Sequence, residues 1–400
     1  MPSSIQRIQV IIAGVLSLLA MVGVARFAYT PLLPIMQDQA NLSIVAGGWL
    51  AASNYFGYFV GAMVAASITN LSLKDSLYRL GMILAVTTTV AMGFTESVWL
   101  WSVLRFVSGL ASACGLLIGS GLVMHWLISH DYRPELGIHF AGLGGGILLV
   151  SVFAEFVLDN LDWQQQWYAF SALALFLCIP AWLWLPRPNL TGRSQGGETL
   201  FDTPPSKAFF NLLMLAYFCA GVGFAVITTF IIAHINQLNP SIQDGNLTFL
   251  LLGLSAMPAC FVWDRIVRHT GFVKALSWAF ALQLIGAMLP LLHEAPIYAY
   301  AGAILFGGTF VGIVSMVLTM AGRFYPNKPA KMMGKMTLSY GAAQILAPAL
   351  ASVLGDWTGS YLSSFYLSAA ILAIGLIAML TIQWWVPVFA DARHNEGRHF

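Results

Sequence analysis

Charge is what this chain has least of. Of its 400 residues only 8% are Asp, Glu, Lys or Arg, while 58% are hydrophobic and the mean hydropathy is +0.78. Soluble domains carry about 25% charged residues, so two or three soluble domains are excluded and the chain reads as a polytopic membrane protein. The net charge of +2 comes without any long basic run, which excludes a nucleic-acid partner. The four cysteines, Cys114, Cys178, Cys219 and Cys260, all fall in apolar stretches and form no CxxC pair. They read as small packed hydrophobes, not as a disulfide framework or a metal site. No Walker loop, HExxH or GxSxG string occurs, and no apolar segment holds two aspartates. ATP is therefore not the expected energy source; no cofactor, metal or enzymatic activity is expected.

What is present is hydrophobic length. A span needs about 20 apolar residues, and twelve stretches qualify, near 8–33, 44–68, 77–95, 98–128, 137–158, 166–186, 208–236, 247–263, 274–292, 296–322, 332–354 and 363–387. The first follows Arg7 and is longer than a signal-peptide core, so it reads as a retained span. Apart from Arg26 and Arg105, every Lys and Arg falls at a terminus or in an even-to-odd loop, whereas the opposite loops carry Asp38, Glu96, Asp159, Asp162, Asp244, Glu294 and Asp356. By the positive-inside rule both termini are expected in the cytoplasm.

The polar stretch RPNLTGRSQGGETLFDTPPSK (187–207) reads as a cytoplasmic linker between a bundle at 1–186 and a second at 208–400 with a short tail. The halves echo one another: GVARFAYT (23–30) matches GVGFAVIT (221–228) at an offset of 198. The expected fold class is an all-α membrane protein of twelve transmembrane helices in two pseudo-symmetric six-helix bundles. That is the major facilitator plan, which places a substrate site near the midplane between the halves.

Three charged residues lie well inside spans: Arg26, Arg105 and Glu155. A charge at the helix centre costs about 2.5–3.5 kcal/mol on the insertion scale. Counting rise per residue puts all three in one layer outward of the midplane, where they are expected to form a charge cluster. On one reading Glu155 takes and releases a proton while an arginine switches between it and the substrate; on the plainer one it neutralises an arginine as packing glue. Two cations against one acid suit an anionic or zwitterionic substrate. Arg105, Ser108 and Ser112 form a small polar stripe on the fourth span, and Tyr29 and Thr30 share the face of Arg26. Asn54 and Tyr55 on the second span are further cavity candidates. So are Thr228, Thr229 and His234 on the seventh, and Ser339, Tyr340 and Gln344 on the eleventh. Each either bonds a neighbouring helix or faces substrate. Glycine pairs such as Gly57/Gly61, Gly115/Gly119, Gly142/Gly146 and Gly308/Gly312 read as close helix contacts.

The strings GVARFAYTPLLP (23–34), WLAASNYFGYFVGA (49–62) and RPELGIHFAGLGGGI (133–147) resemble a bacterial major facilitator family of YbfB/YjiJ type. LRFVSGLASA (104–113) is similar to the superfamily's fourth-span motif. The resemblance runs over the whole chain and implies a secondary transporter of the bacterial inner membrane, without naming a substrate. The superfamily's DRxGR-type loop is degenerate in the first half, TNLSLKDSLYRLG (69–81), and better kept in the second, DRIVRHTG (264–271). There it implies a cytoplasmic gate at Asp264 and Arg265. The antiporter motif's Gly-Pro pair is replaced by GLGGG (142–146). The expected function is alternating-access, proton-coupled export of a small anionic or amphipathic organic solute, with protons and membrane lipids as the other partners. Proton-coupled uptake of an organic anion is the alternative, and a non-transporting sensor or assembly protein is the rival from another class.

Overall fold

The computed structural model describes residues 4–130, 132, 136–157, 160–188, 204–238, 242–324 and 329–388. The body of the expected linker, at 189–203, and the tail from 389 onward lie outside the described residues. Among the described residues the helical elements group into twelve passages. α1 has three parts, α-helical Ser4–Leu18, π-helical Leu19–Phe27 and α-helical Tyr29–Gln39. α2 is Ile44–Ser67, α3 Leu71–Met92, and α4 joins Val98–Ala113, a π-helical turn Cys114–Gly119 and Ser120–Ser129. α5 is Leu136–Val157, α6 Trp163–Trp184 and α7 Lys207–Leu238. α8 is broken into Ile242–Ala256 and Ala259–Thr270. α9 is Phe272–Leu292, α10 Pro296–Phe324, α11 Pro329–Thr358 and α12 Leu362–Trp385.

Among the described residues nine helices are long and apolar enough to cross a membrane, or ten if the two parts of α8 form one span. α2 and α3 are not among them. α2 is rich in Gly, Ser, Asn and Tyr, and the first turns of α3 carry Lys74, Asp75 and Arg79. The 44° bend in α8 falls at Pro258, which can neither donate to the carbonyl one turn back nor fit beneath it. The next helix end is set by Gly271, whose φ of 81° lies in the left-handed region that a side chain disfavours.

Contacts repeat between the halves. In the first, the Trp163 N–H donates to Gln39 Oε1 at 3.0 Å; in the second, the Tyr361 N–H donates to Gln237 Oε1 at 3.0 Å. Each residue of the second pair lies 198 positions after its counterpart, the same spacing that relates Thr30 to Thr228. Gly109 is pressed against Asn54 O as Gly307 is against Leu252 O, again with both positions shifted by 198.

The two halves meet through α2 against α11, α5 against α8, and the last part of α1 against α7. Gly48 lies against Ser352 and Pro348 O, and Gly144 against the bend of α8 at Met257. Among the described residues, the hydrogen bonds that cross between halves run from the middle of the bundle to the end bearing the acidic loops. They are Thr30 Oγ1 to Thr228 O at 2.8 Å, Gln37 Nε2 to Tyr361 OH at 2.7 Å, Tyr55 with Thr228 and Thr229, and Asn246 to Ser151 O and Glu155. Burial pushes the Tyr361 phenol up to about 12, so this contact keeps its neutral partner at any physiological pH. Towards the basic end, Ser4–Leu18 and Ser120–Ser129 pack against helices of their own half.

A Cβ at Gly109 or Gly307 would stand 2.0 or 2.2 Å from a backbone oxygen, whereas at Gly308 the nearest atom is 4.0 Å away. Gly109→Ala and Gly307→Ala are each expected to cost about 1–3 kcal/mol and to lower the unfolding temperature in detergent. Gly308→Ala should leave that temperature unchanged.

Candidate functional site

The site begins with the main chain of α1. A π-helical stretch and two prolines interrupt the regular ladder; Pro31 has no N–H for the carbonyls one turn back, and Pro34 repeats the loss. The polar stripe of α4 donates to main-chain carbonyls within the π-helical stretch. Arg105 donates from Nη1 to Ala25 O at 3.0 Å and from Nη2 to Arg26 O at 3.3 Å. Ser108 donates to Ala25 O at 2.7 Å and Ser112 to Met21 O at 2.6 Å. Asn54 of α2 closes the arrangement by donating to Arg105 O at 3.0 Å and Ser108 Oγ at 3.3 Å. The Arg105 guanidinium lies 4.6 Å from the Tyr29 ring, and the Tyr29 hydroxyl donates to Gly47 O at 2.8 Å. Arg105, Ser112, Asn54 and Tyr29 therefore hold α1, α2 and α4 together.

Arg26 is held differently. Its guanidinium carbon lies 4.4 Å from the Tyr55 ring centre, 5.0 Å from Tyr58, and 5.7 Å from both Phe27 and Phe224. Rings contribute up to about 2 kcal/mol each to a desolvated cation, yet they offer nothing to its N–H groups in the plane. Arg26 Nε and Nη2, which share one edge of that plane, are buried without a hydrogen-bond partner among the described residues. Such an edge binds a carboxylate, sulfonate or phosphate through two parallel hydrogen bonds. Tyr340 of the second half lies 6.0 Å from Phe224, which in turn lies 5.7 Å from Arg26, so residues of both halves converge here. Tyr55 OH stands 3.4 Å from both Thr228 Oγ1 and Thr229 Oγ1.

The expected charge cluster is not assembled. No ion pair joins Arg26, Arg105 and Glu155 among the described residues. Glu155 instead accepts a short hydrogen bond from Asn246 Nδ2, which also donates to Ser151 O at 3.0 Å. Rise along the helix gave the depth of Glu155 but not its direction around α5, which points to α8 of the other half. His234 is fully buried and stacks on Phe365 at 4.4 Å, with both ring nitrogens unpartnered. Gln344 is buried with its Oε1 unpartnered. A void inside the second half is lined by Ile227, Ile231, Pro290, Phe306 and Phe365 and carries no polar side chain that could bind a charged solute.

Sequence reasoning missed Tyr58, Tyr217 and Phe224. Tyr58 is one turn from Tyr55, Tyr217 is two turns before Phe224, and Phe224 occupies in GVGFAVIT the place of Arg26 in GVARFAYT. These spacings were the available signal.

At the basic end, Asp264 accepts from Arg268 Nε and Nη2 at 3.0 and 2.6 Å on its own exposed helix face, and Arg265 is exposed. The expected Asp264–Arg265 gate thus has Arg268 as the partner of Asp264. The degenerate first-half loop holds the more enclosed site. Arg79 Nε donates to Asp75 at 3.1 Å, while Nη1 reaches Trp182 O at 3.0 Å and Nη2 reaches Leu185 O at 3.1 Å. Both charged groups are buried, and the cation caps the C-terminal carbonyls of α6.

Helices of this length, joined as two similar bundles with a caged cation at their junction, define a membrane transporter of the major facilitator type. The chain belongs to the family described as "Uncharacterised MFS-type transporter YbfB", whose model matches residues 17–380. It is 23% identical over 273 residues to the uncharacterised MFS-type transporter YceJ of Bacillus subtilis, covering 65% of this chain and 67% of the relative. It is 23% identical to the probable sulfoacetate transporter SauU of Cupriavidus necator, covering 92% of each chain. A phosphoglycerate transporter protein of Salmonella typhimurium is 25% identical over 40% of this chain and 35% of its own length. The fold matches the nucleoside transporter NupG with a TM-score of 0.75 at 11% identity, over 95% of this chain and 99% of that one. The protein is thus a multi-pass membrane transporter of small organic solutes and not an enzyme.

Removing Arg79 would leave the buried Asp75 with only the exposed Arg187, 4.0 Å away, a loss of about 3–5 kcal/mol. The exposed Asp264–Arg268 pair contributes about 0–1 kcal/mol. Arg79→Ala should therefore lower the unfolding temperature in detergent sharply, and Arg268→Ala should not.

Proposed function

We propose that the protein exports a small organic anion across the bacterial inner membrane, with Arg26 as the ligand of the anionic group. The observation that carries this is the buried Nε–Nη2 edge of Arg26, caged by aromatic rings and lacking a carboxylate partner. The relatives named for sulfoacetate and phosphoglycerate carry anions by those names, which supports the same class here. On this reading the bundles at 1–186 and 208–400, joined by the linker at 187–207, rock about the site with both termini in the cytoplasm. The end where the halves are now hydrogen-bonded is then periplasmic, and the conformation is the one that loads substrate from the cytoplasm. Arg105 acts through Arg26: it fixes the carbonyls of the π-helical stretch and so aims the cation that follows.

An anion leaving an inside-negative cell gains about 2.3 kcal/mol per charge for each 100 mV, which drives export with no proton relay. Proton coupling through an arginine–Glu155 switch would require the two groups to meet, and Glu155 is bonded to Asn246.

The test is efflux from proteoliposomes loaded with a panel of labelled organic acids, under an inside-negative potential, with and without a pH gradient. The potential should accelerate efflux of at least one acid and the pH gradient should not. Arg26→Ala should slow that efflux by about 30-fold or more, the loss expected for a buried charge pair, while Arg26→Lys should retain part of it. Efflux that ignores the potential would overturn the direction, and wild-type rates in Arg26→Ala would overturn the site.

A further inference from the structure

The surroundings of Arg26 restrict which anion it can take, an argument that rests on the reading of Arg26 as the anion's ligand. We infer that the substrate is a singly charged acid with a flat, apolar body, its carboxylate or sulfonate on the Arg26 edge and its body against the aromatic cluster. Beside the cation, aromatic side chains form a continuous run contributed by three helices of the second half. Tyr217 and Tyr340 lie 4.6 Å apart at 31°, Tyr340 and Phe224 6.0 Å apart at 35°, and Phe224 and Phe310 5.1 Å apart at 35°. Tyr55 and Phe27 of the first half meet Phe224 edge-on, at 6.3 and 6.5 Å. Rings packed in this offset fashion receive another ring in the same geometry.

The charge count of the site follows from the donors already used. Both Nη groups of Arg105 donate to main-chain carbonyls, and only its Nε is left without a partner, so Arg105 has no free Nε–Nη2 edge for a second anionic group. A dianion would bury its other charge among phenols, which is costly without a charged partner. A zwitterion would place its ammonium near Arg26 with no carboxylate to receive it, since Glu155 is engaged with Asn246. A neutral solute would leave the Arg26 edge unmet.

The test is equilibrium binding of labelled benzoate to the purified full-length protein in detergent. The competitors are phthalate, phenylalanine, benzylamine, benzyl alcohol and acetate. Benzoate should bind, and phthalate, phenylalanine, benzylamine and benzyl alcohol should each compete about 30-fold or more weakly, as expected when a buried charge is left unpaired. Acetate should bind weakly through its head alone, and Tyr340→Leu should narrow the preference for benzoate over acetate without removing acetate. Arg26→Gln should abolish binding of both acids; Arg26→Lys, which keeps the charge, serves as the second variant and should bind benzoate more weakly while eluting as the wild type does. Phthalate or phenylalanine competing as well as benzoate would overturn this inference and leave the anion reading intact, provided Arg26→Gln still abolishes binding. Benzoate binding that survives Arg26→Gln, or failure of every acid to bind, would overturn both.

Discussion

Helix α1 is tied to α4 through its own main chain, which accepts hydrogen bonds from the polar stripe of the facing helix. Between Leu19 and Pro34 the chain widens into a π-helical stretch and then meets two prolines. Arg105, Ser108 and Ser112 of α4 donate to Ala25 O, Arg26 O and Met21 O on the π-helical stretch. These bonds hold the path of α1 against α4 at the point where Arg26 emerges among the rings of α2 and α7.

Hydrophobic length acts through local composition, so it marked an all-helical membrane chain in advance, and nine or ten of the described helices meet that criterion while α2 and α3 do not. The stripe on α4 was visible as a stripe, but its partners were not: which main-chain carbonyls of α1 it meets depends on how the two helices pack. Arg26 drew attention as a charge out of place, whereas its cage of Tyr55, Tyr58, Phe27 and Phe224 is assembled from three segments far apart in sequence. Glu155 shows the complementary failure, since depth along a helix is arithmetic but its azimuth depends on packing with the other half. In the first-half loop, the motif's letters are degraded while Asp75 and Arg79, one helical turn apart, form an enclosed ion pair.

The duplication is best seen where the halves touch. Thr30 bonds to the carbonyl of its own counterpart, Thr228, so the pseudo-twofold axis passes close by. Near that axis Arg26 faces Phe224, the residue at its equivalent position. Two similar bundles therefore contribute dissimilar chemistry to one point: a cation from one, and a ring to lie beside it from the other.

Tyr361 bears on how the molecule changes shape. Its main-chain N–H is committed to Gln237 within its own bundle, while its hydroxyl receives Gln37 from the other. One side chain thus serves as both strut and clasp. That clasp is one neutral hydrogen bond, and Asn246 reaching across to Ser151 O and Glu155 adds to it. On the proposed rocking of the halves these contacts would part while the bond to Gln237 stays inside its bundle, so the strut survives when the clasp opens.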